Sequence, residues 1–256
     1  MTGIYTIGKI GGRMNILVPM AGAGSRFAEK GYLLPKPLID VAGKPMIQRA
    51  LESLGIPGQY IFIIRQYKDR HLYTQLKETL HAITTDPIIV EVQELTDGAA
   101  CTCLLAKQYI NTEEPLLSIN CDQIMSWDPA EFLKHVTSRE MAGCVITYNS
   151  DSVKNSYIKL DENGYGQRLA EKEPISQLSL TGIHYWSKGQ YFVQSAESMI
   201  EKNIRVNNEF YVAPTYNEMI SIGQKITNFH IEEKNFHPVG TPHDLQKYLQ
   251  RNHSEK

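Results

Sequence analysis

This sequence has no basic block, no long apolar run and no cysteine pairing beyond one Cys-x-Cys, and each shortage closes off a class of function. Its 26 lysines and arginines nearly balance 28 aspartates and glutamates, giving a formal charge of -2. Such a balance lacks the electrostatic footprint expected for nucleic acid or an anionic membrane surface. No apolar stretch is long enough to span a bilayer. The first thirteen residues lack the apolar centre and small-residue cleavage site of a secretory leader. The four cysteines, Cys101, Cys103, Cys121 and Cys144, stand in apolar contexts without the spacing of a zinc site. Cys101 and Cys103 read as helix packing, with metal binding the poorer alternative, and a reducing, cytoplasmic setting is the simplest account.

What is present is enough chain to bury a substantial core: 256 residues, 42% of them hydrophobic. Residues 1–13 read as an N-terminal extension, a start placed too early or an ordinary flexible terminus, and residues 14–256 as one domain without repeats or low-complexity linkers. Short apolar runs alternate with helical spacing. Asn15–Pro19, Tyr60–Ile64, Pro87–Val92, Leu116–Ile119 and Cys144–Tyr148 read as strands. Between them, Pro45–Leu54, the Leu72, Leu76, Leu80 series, Ala99–Tyr109 and Asp128–Val136 read as helices. That alternation predicts a mainly parallel sheet covered on both faces. Further on come a hairpin around Glu162-Asn163-Gly164, a strand at Gly182–Trp186, helices at Gln190–Ile200 and Tyr211–Ile222, and a strand at Ile226–Ile231. Thr241-Pro242-His243-Asp244 has the form of a capping box opening a terminal helix.

The strongest local feature is Gly22-Ala23-Gly24-Ser25-Arg26-Phe27, directly after the first strand. Glycines let a backbone turn sharply so that its amides form an anion-binding concavity, and Arg26 adds a planar fork suited to phosphate oxygens. Pro35-Lys36-Pro37-Leu38 follows, with prolines expected to hold the chain extended around one lysine. Alone, such a glycine turn is structural about as often as functional. No third glycine completes a dinucleotide fingerprint, and no Gly-Lys-Ser/Thr completes a Walker loop. Two more segments carry usable chemistry. Gln93 and Gly98 flank a strand-to-helix turn: an amide that both donates and accepts can read a base edge, and a glycine lets a ring lie against the backbone. A plain polar loop fits equally. Asp122 ends an apolar strand, where ligands bind in open sheets and where Mg²⁺ is held by a carboxylate plus substrate phosphates, or where an aspartate merely shapes a loop.

In that order the motifs resemble the sugar-phosphate nucleotidyltransferases, the nucleoside-diphosphate-sugar pyrophosphorylases. The family signature Gly-x-Gly-(Ser/Thr)-Arg-(Phe/Leu) … Pro-Lys-Pro-Leu stands here as Gly22–Phe27 and Pro35–Leu38, and the likeness runs from Met14 to Leu249. The resemblance implies a three-layer α/β/α Rossmann-like fold with a mainly parallel mixed sheet. It also implies transfer of a nucleoside monophosphate from a triphosphate to a small phosphorylated acceptor, with release of pyrophosphate. By the same likeness Ala21, Gly22, Ala23, Gly24, Ser25 and Arg26 hold the triphosphate, and Lys36 contacts phosphates at the reacting centre. Gln93 and Gly98 meet the base, although Glu94 replaces a family proline, and Asp122 binds Mg²⁺. The Ala170–Pro174 run, followed by Thr181–Tyr185, matches the family's acceptor segments: Glu171 would hydrogen-bond the acceptor, Lys172 would hold its phosphate, and Gly182 would border it. Asn208 and Glu209 stand in a polar stretch that reads as acceptor lining or as a helix-entry loop.

Two departures stand out. A second metal-binding aspartate of many relatives is replaced by Pro238, leaving Glu209 and Asp244 as weak substitutes. Tyr157 takes the place of a glycine beside the sugar, pointing away from a typical hexose phosphate. The branch of the family favours a pyrimidine nucleotide, CTP first. A sugar phosphate, polyol phosphate or phosphorylated amino acid all suit the acceptor side, and oligomeric state is not legible. A non-catalytic regulatory relative that binds a nucleotide sugar is the alternative. A glycosyltransferase is disfavoured because Asp122-Gln123-Ile124 lacks an Asp-x-Asp.

Overall fold

A computed structural model describes residues 13–138 and 140–254, so the expected extension lies outside the described residues except for Arg13. Thirteen strands are described: β1 Asn15–Met20, β2 Asp40–Val41, β3 Lys44–Pro45, β4 Gln59–Arg65, β5 Ile88–Val92, β6 Leu116–Ser118, β7 Gln123–Met125, β8 Gly143–Asn149, β9 Ser156–Leu160, β10 Gly166–Glu171, β11 Leu178–Trp186, β12 Ile226–His230 and β13 Phe236–Pro238. The helices are α1 Ser25–Ala28, α2 Met46–Leu54, α3 Arg70–Ile83, α4 Ala99–Leu104, α5 Lys107–Ile110, α6 Pro129–Thr137, α7 Gly189–Glu201, α8 Thr215–Ser221 and α9 Pro242–Ser254.

Nine strands form one mixed sheet. β5, β4, β1 and β6 run parallel in that spatial order; β11 runs antiparallel to both β6 and β8; β12 runs parallel to β8; and the β9–β10 hairpin joins at Ser179 of β11. Alternation along the strands explains the layers. Ile16, Val18, Phe62 and Ile64 face one core with residues of α2, α3 and α6, whereas Leu17, Ile61 and Ile63 face the other with α4, α5, α7 and α8. Both faces are therefore apolar, as the continuous Tyr60–Ile64 run predicts. The fold is the expected three-layer α/β/α arrangement.

Three local expectations are corrected. The Ala99–Tyr109 helix breaks into α4 and α5 at Leu105 and Ala106. The helix expected from Tyr211 begins only at Thr215, where Pro214 starts it without needing an amide donor. Lys36 is not in extended chain: only Pro35 is extended, and Lys36–Leu38 form one 3₁₀ turn that accommodates Pro37 in its first positions. The capping box is present, with Asp244 N donating to Thr241 Oγ1 at 3.1 Å and Thr241 Oγ1 donating to Asp244 Oδ2 at 2.6 Å.

One buried group makes stability depend on pH. His184 on β11 packs beside the stacked Trp186–Tyr216 pair, with ring centroids 5.9 and 5.8 Å away, and its Nδ1 has no hydrogen-bond partner among the described residues. Burial drives its pKa down to about 3. The folded state therefore binds fewer protons than the unfolded one. The histidine's contribution is intact above the unfolded value near 6.5 and is lost as pH falls toward 3. Between pH 7.5 and 5 this loss amounts to about 2 kcal/mol. Urea unfolding of the wild type and His184→Phe at both pH values should show a flatter pH response in the variant; equal slopes would remove His184 from the explanation.

Candidate active site

β1 and β6 are adjacent, but the chain leaves them in opposite directions: β4 and β5 extend the sheet from β1, and β11 and β8 extend it from β6. Loops at the carboxyl ends of such a pair part and leave a crevice. A cleft of about 350 Å³ opens there, lined by Gly22, Ala23, Gly24, Ser25, Arg26, Lys36, Asn120, Cys121, Asp122 and Gly240 among others. Its shape follows from the sequence. Gly24 has φ 64°, a left-handed conformation that favours glycine, and its carbonyl accepts from the amides of Phe27 and Ala28 as α1 begins. A Cβ on Gly24 would lie 3.5 Å from the Cβ of Lys36, so the turn and the lysine are in direct contact. Phe27 packs with Ile39, Met46, Ile124, Val239 and Leu245, and this small core fixes the turn against the C-terminal segment. Ala21 is buried and falls outside the lining of the cleft.

The Lys36 ammonium forms an ion pair with Asp122 Oδ2. Burial pulls the lysine's pKa down, but the Asp122 carboxylate, with help from Cys121, outweighs it, and the net shift is upward. Lys36 stays charged at neutral pH, and Arg26 stands close enough to oppose that charge. Two cations, one carboxylate and a glycine turn thus share one crevice. Gly240 seals its far side: a Cβ there would lie 2.2 Å from Asp122 Oδ2. The amide of Val239 donates to the Asp122 carbonyl at 2.8 Å, and β13 pairs with β7 so that Pro238 lies opposite Gln123. The proline therefore occupies the neighbourhood of Asp122 without offering a side-chain oxygen. Asp244 is engaged in its helix cap and Glu209 in the group described next. Among the described residues no cluster of three or more His, Cys, Asp or Glu could hold a metal. One carboxylate facing a cleft nevertheless suits Mg²⁺, which takes its remaining oxygens from phosphates and water.

A second group gathers residues expected on the acceptor side. Lys172 donates to the Tyr211 hydroxyl and lies 4.6 Å from the centroid of its ring. Lys172 has φ 57°, uncommon for a non-glycine residue and a mark of a constrained position. Glu171 accepts from Ser156 Oγ; burial raises its pKa, and the charge of Glu209 adds to the rise. Glu209 closes a tight turn over residues 206–209, where Asn207 and Asn208 both adopt left-handed φ and Val206 and Glu209 exchange two backbone hydrogen bonds of 3.0 Å. Asn208 is exposed at the tip of that turn. Gly182, φ 97°, lies against the cleft residue Asn120: a Cβ there would lie 2.3 Å from Asn120 Nδ2.

Gln93 and Gly98 fall outside the lining of the cleft, although Gln93 follows β5 at the same sheet edge. Gly98, φ 134°, abuts Phe210: a Cβ would meet its carbonyl oxygen at 2.4 Å, and Phe210 donates to Asp97 O and accepts from Ala100 N. Arg205 reinforces the contact through Asp97 at 3.1 Å. Tyr157 does not reshape a pocket as its position suggests; the ring is fully buried and its hydroxyl donates to Ser152 O. Sequence reasoning missed Gly240 and Asn120 as parts of the site, and it placed Tyr211 only within the polar stretch 207–211, not as the partner of Lys172. Only Asn120, at a strand's carboxyl end, carried a local signal.

These features agree with comparisons to known proteins. The sequence pattern of the nucleotidyl transferase family matches residues 16–254. The bifunctional protein GlmU of Methanocaldococcus jannaschii is 30% identical over 185 residues, covering 68% of this chain and 40% of that protein. The mannose-1-phosphate guanylyltransferase catalytic subunit beta of Drosophila melanogaster is 25% identical, covering 70% and 49%. The chain thus spans less than half the length of these curated relatives. Among solved structures, the nucleoside-diphosphate-sugar pyrophosphorylase from Vibrio cholerae RC9 superposes with a TM-score of 0.78 at 24% identity, over 92% of this chain and 99% of that one. With its cleft at the β1–β6 switch and the family pattern across nearly the whole chain, this protein belongs to the nucleotidyl transferase family.

Proposed function

We propose that the protein transfers a nucleoside monophosphate from a triphosphate to a small phosphorylated acceptor, releasing pyrophosphate. The observation that carries this reading is the convergence of the residue 22–26 turn, Arg26, Lys36 and Asp122 on one cleft. An acceptor phosphate oxygen attacks the α-phosphorus; a new P–O bond forms as the bond to the β-phosphate oxygen breaks, and pyrophosphate leaves with that electron pair. No general base is needed, because the attacking phosphate is already ionised. The protein's task is positioning and charge compensation. Backbone amides at Gly22, Ala23, Gly24 and Ser25 cradle the polyphosphate, Arg26 forks onto its oxygens, and Lys36 leaves Asp122 to meet the reacting phosphate. Asp122 would hold Mg²⁺, which when bound neutralises phosphate charge. Lys172 brings in the acceptor phosphate, and Glu171, Gly182, Asn208 and Glu209 line its remainder. Gln93 and Gly98 receive the base, and the glutamine amide supports a pyrimidine, CTP first. Pro238 near Asp122 favours the second reading, a nucleotide-sugar-binding regulator without turnover.

Melting curves with CTP, UTP, dTTP or GTP plus Mg²⁺ test the binding half. At a hundredfold excess over Kd the preferred triphosphate should raise the melting temperature by about 5–10 °C. Pyrophosphate release with a panel of phosphorylated acceptors separates the two readings. A shift without release favours the regulator; no shift with any triphosphate removes the transferase reading, and no shift with nucleotide sugars removes the regulator.

A further inference from the structure

Lys172 is exposed, and the carboxylates of Glu171 and Glu209 both act on its charge. A lysine side chain is a flexible four-carbon stem, so either carboxylate could draw the ammonium away from a ligand. Both are engaged elsewhere. Glu171 accepts from Ser156 Oγ, and Glu209 shares a hydrogen bond with the Tyr211 hydroxyl. The lysine backbone is constrained as well: its φ is 57° and its amide donates to Asn155 O at 2.8 Å. The ammonium is then held by one residue in two ways. It donates to the Tyr211 hydroxyl and lies 4.6 Å from the centroid of the same ring. Tyr211 itself sits between the buried residues Phe210 and Val212. Burial, and then the hydrogen bond to Glu209, raise the pKa of its hydroxyl. The oxygen therefore keeps its proton, gives it to Glu209 and offers its lone pairs to Lys172. The ring alone would fill this space; Lys172 and Glu209 are the groups that use the hydroxyl.

We propose that Tyr211 is a positioning residue for Lys172: its ring and hydroxyl hold the ammonium in place before any ligand arrives, with the remaining N–H donors left for an incoming phosphate. The inference rests on the nucleotidyltransferase reading and deepens its acceptor half. An ammonium carries three donors, and one is spent on Tyr211. A cation fixed in advance spares the ligand the cost of ordering it. Tyr211 thus acts on acceptor binding through Lys172, without touching the acceptor.

Tyr211→Phe keeps the ring and loses the hydroxyl, and Tyr211→Leu loses both. Each is also combined with Lys172→Met, which keeps the length of the stem and removes its charge. Pyrophosphate release is measured with glucose 1-phosphate, inositol 1-phosphate and glycerol 3-phosphate. For whichever the wild type uses, the acceptor KM should rise about tenfold in Tyr211→Leu and less in Tyr211→Phe, with kcat and the triphosphate KM little changed. In the Lys172→Met background, Tyr211→Leu should change the acceptor KM by less than about twofold, because a residue that works through another has no effect once the other is gone. A second readout needs no turnover. The hydrogen bond to Tyr211 is the largest influence holding the Lys172 pKa up. Acetylation of Lys172 by sulfo-N-hydroxysuccinimide acetate, followed by mass spectrometry, should therefore be at least about threefold faster in Tyr211→Leu, whose amine loses the contacts that favour its charged form. An equal loss in both backgrounds would show Tyr211 to act apart from Lys172, and an unchanged acceptor KM or labelling rate in Tyr211→Leu would show the contact to be idle; each overturns the proposal. If the wild type uses none of the acceptors, the functional reading falls and this inference with it; if the wild type is active and the two substitutions are additive, only this inference falls.

Discussion

Lys36→Ala and Asp122→Ala should each lower pyrophosphate release by at least about a hundredfold, the loss typical when one charge-stabilising group is removed from a reacting centre. The two side chains are each about one-fifth exposed, at 21% and 18%. They are dry enough for their charges to act on a phosphate and wet enough that losing one does not unfold the protein. Each single variant strands the other charge in the cleft, so melting temperatures should fall by only a few degrees, about 1 kcal/mol. The double variant should regain part of that stability and none of the turnover, because the two groups act as a unit in catalysis. Steady-state pyrophosphate release and melting curves on the four proteins decide the matter. Wild-type-like release from either single variant would remove that residue from the mechanism.

The second large effect is expected from a residue with no side chain. Gly240 does not occupy the left-handed region, so alanine is tolerated by the backbone, yet its Cβ would lie 2.2 Å from Asp122 Oδ2. The Asp122 backbone cannot retreat, because its carbonyl is held by Val239 N. The carboxylate must therefore rotate away from Lys36. A displacement of about 1 Å at a reacting centre can cost on the order of a hundredfold, and Gly240→Ala should lose turnover on that scale while keeping a normal unfolding curve. If the variant turns over like the wild type, the position of the Asp122 carboxylate is not critical and the metal assignment fails.

The parts of this molecule visible in the sequence are those encoded locally. Met46, Ile47, Ala50, Leu51 and Leu54 recur at helical spacing and α2 ends at Gly55, φ 64°, as the pattern predicts. The apolar run within β4 marks a strand covered on both faces. Thr241 and Asp244 cap α9 from one turn apart. What the sequence concealed depends on distant partners. β7 and β13 are three residues each, too short for any period, and exist because they pair with each other. The contacts of Gly98 with Phe210 and of Gly240 with Asp122 join segments more than a hundred residues apart, and no local pattern announces them. Within the site, the turn and Lys36 were legible because phosphate recognition is written as a short motif. Tyr211 was legible only as one member of the polar stretch 207–211; its contact with Lys172 was not, because it joins distant segments.

The clasp between Gly98 and Phe210 ties the turn before α4 to the loop that presents Glu209. With Phe210 N donating to Asp97 O, Ala100 N donating to Phe210 O and no room for a side chain between them, neither segment can shift without dragging the other. Two ligands that settle on opposite sides of such a hinge-free joint share one equilibrium. Whatever factor the first contributes to the second's affinity, the second returns to the first, since thermodynamic linkage is reciprocal.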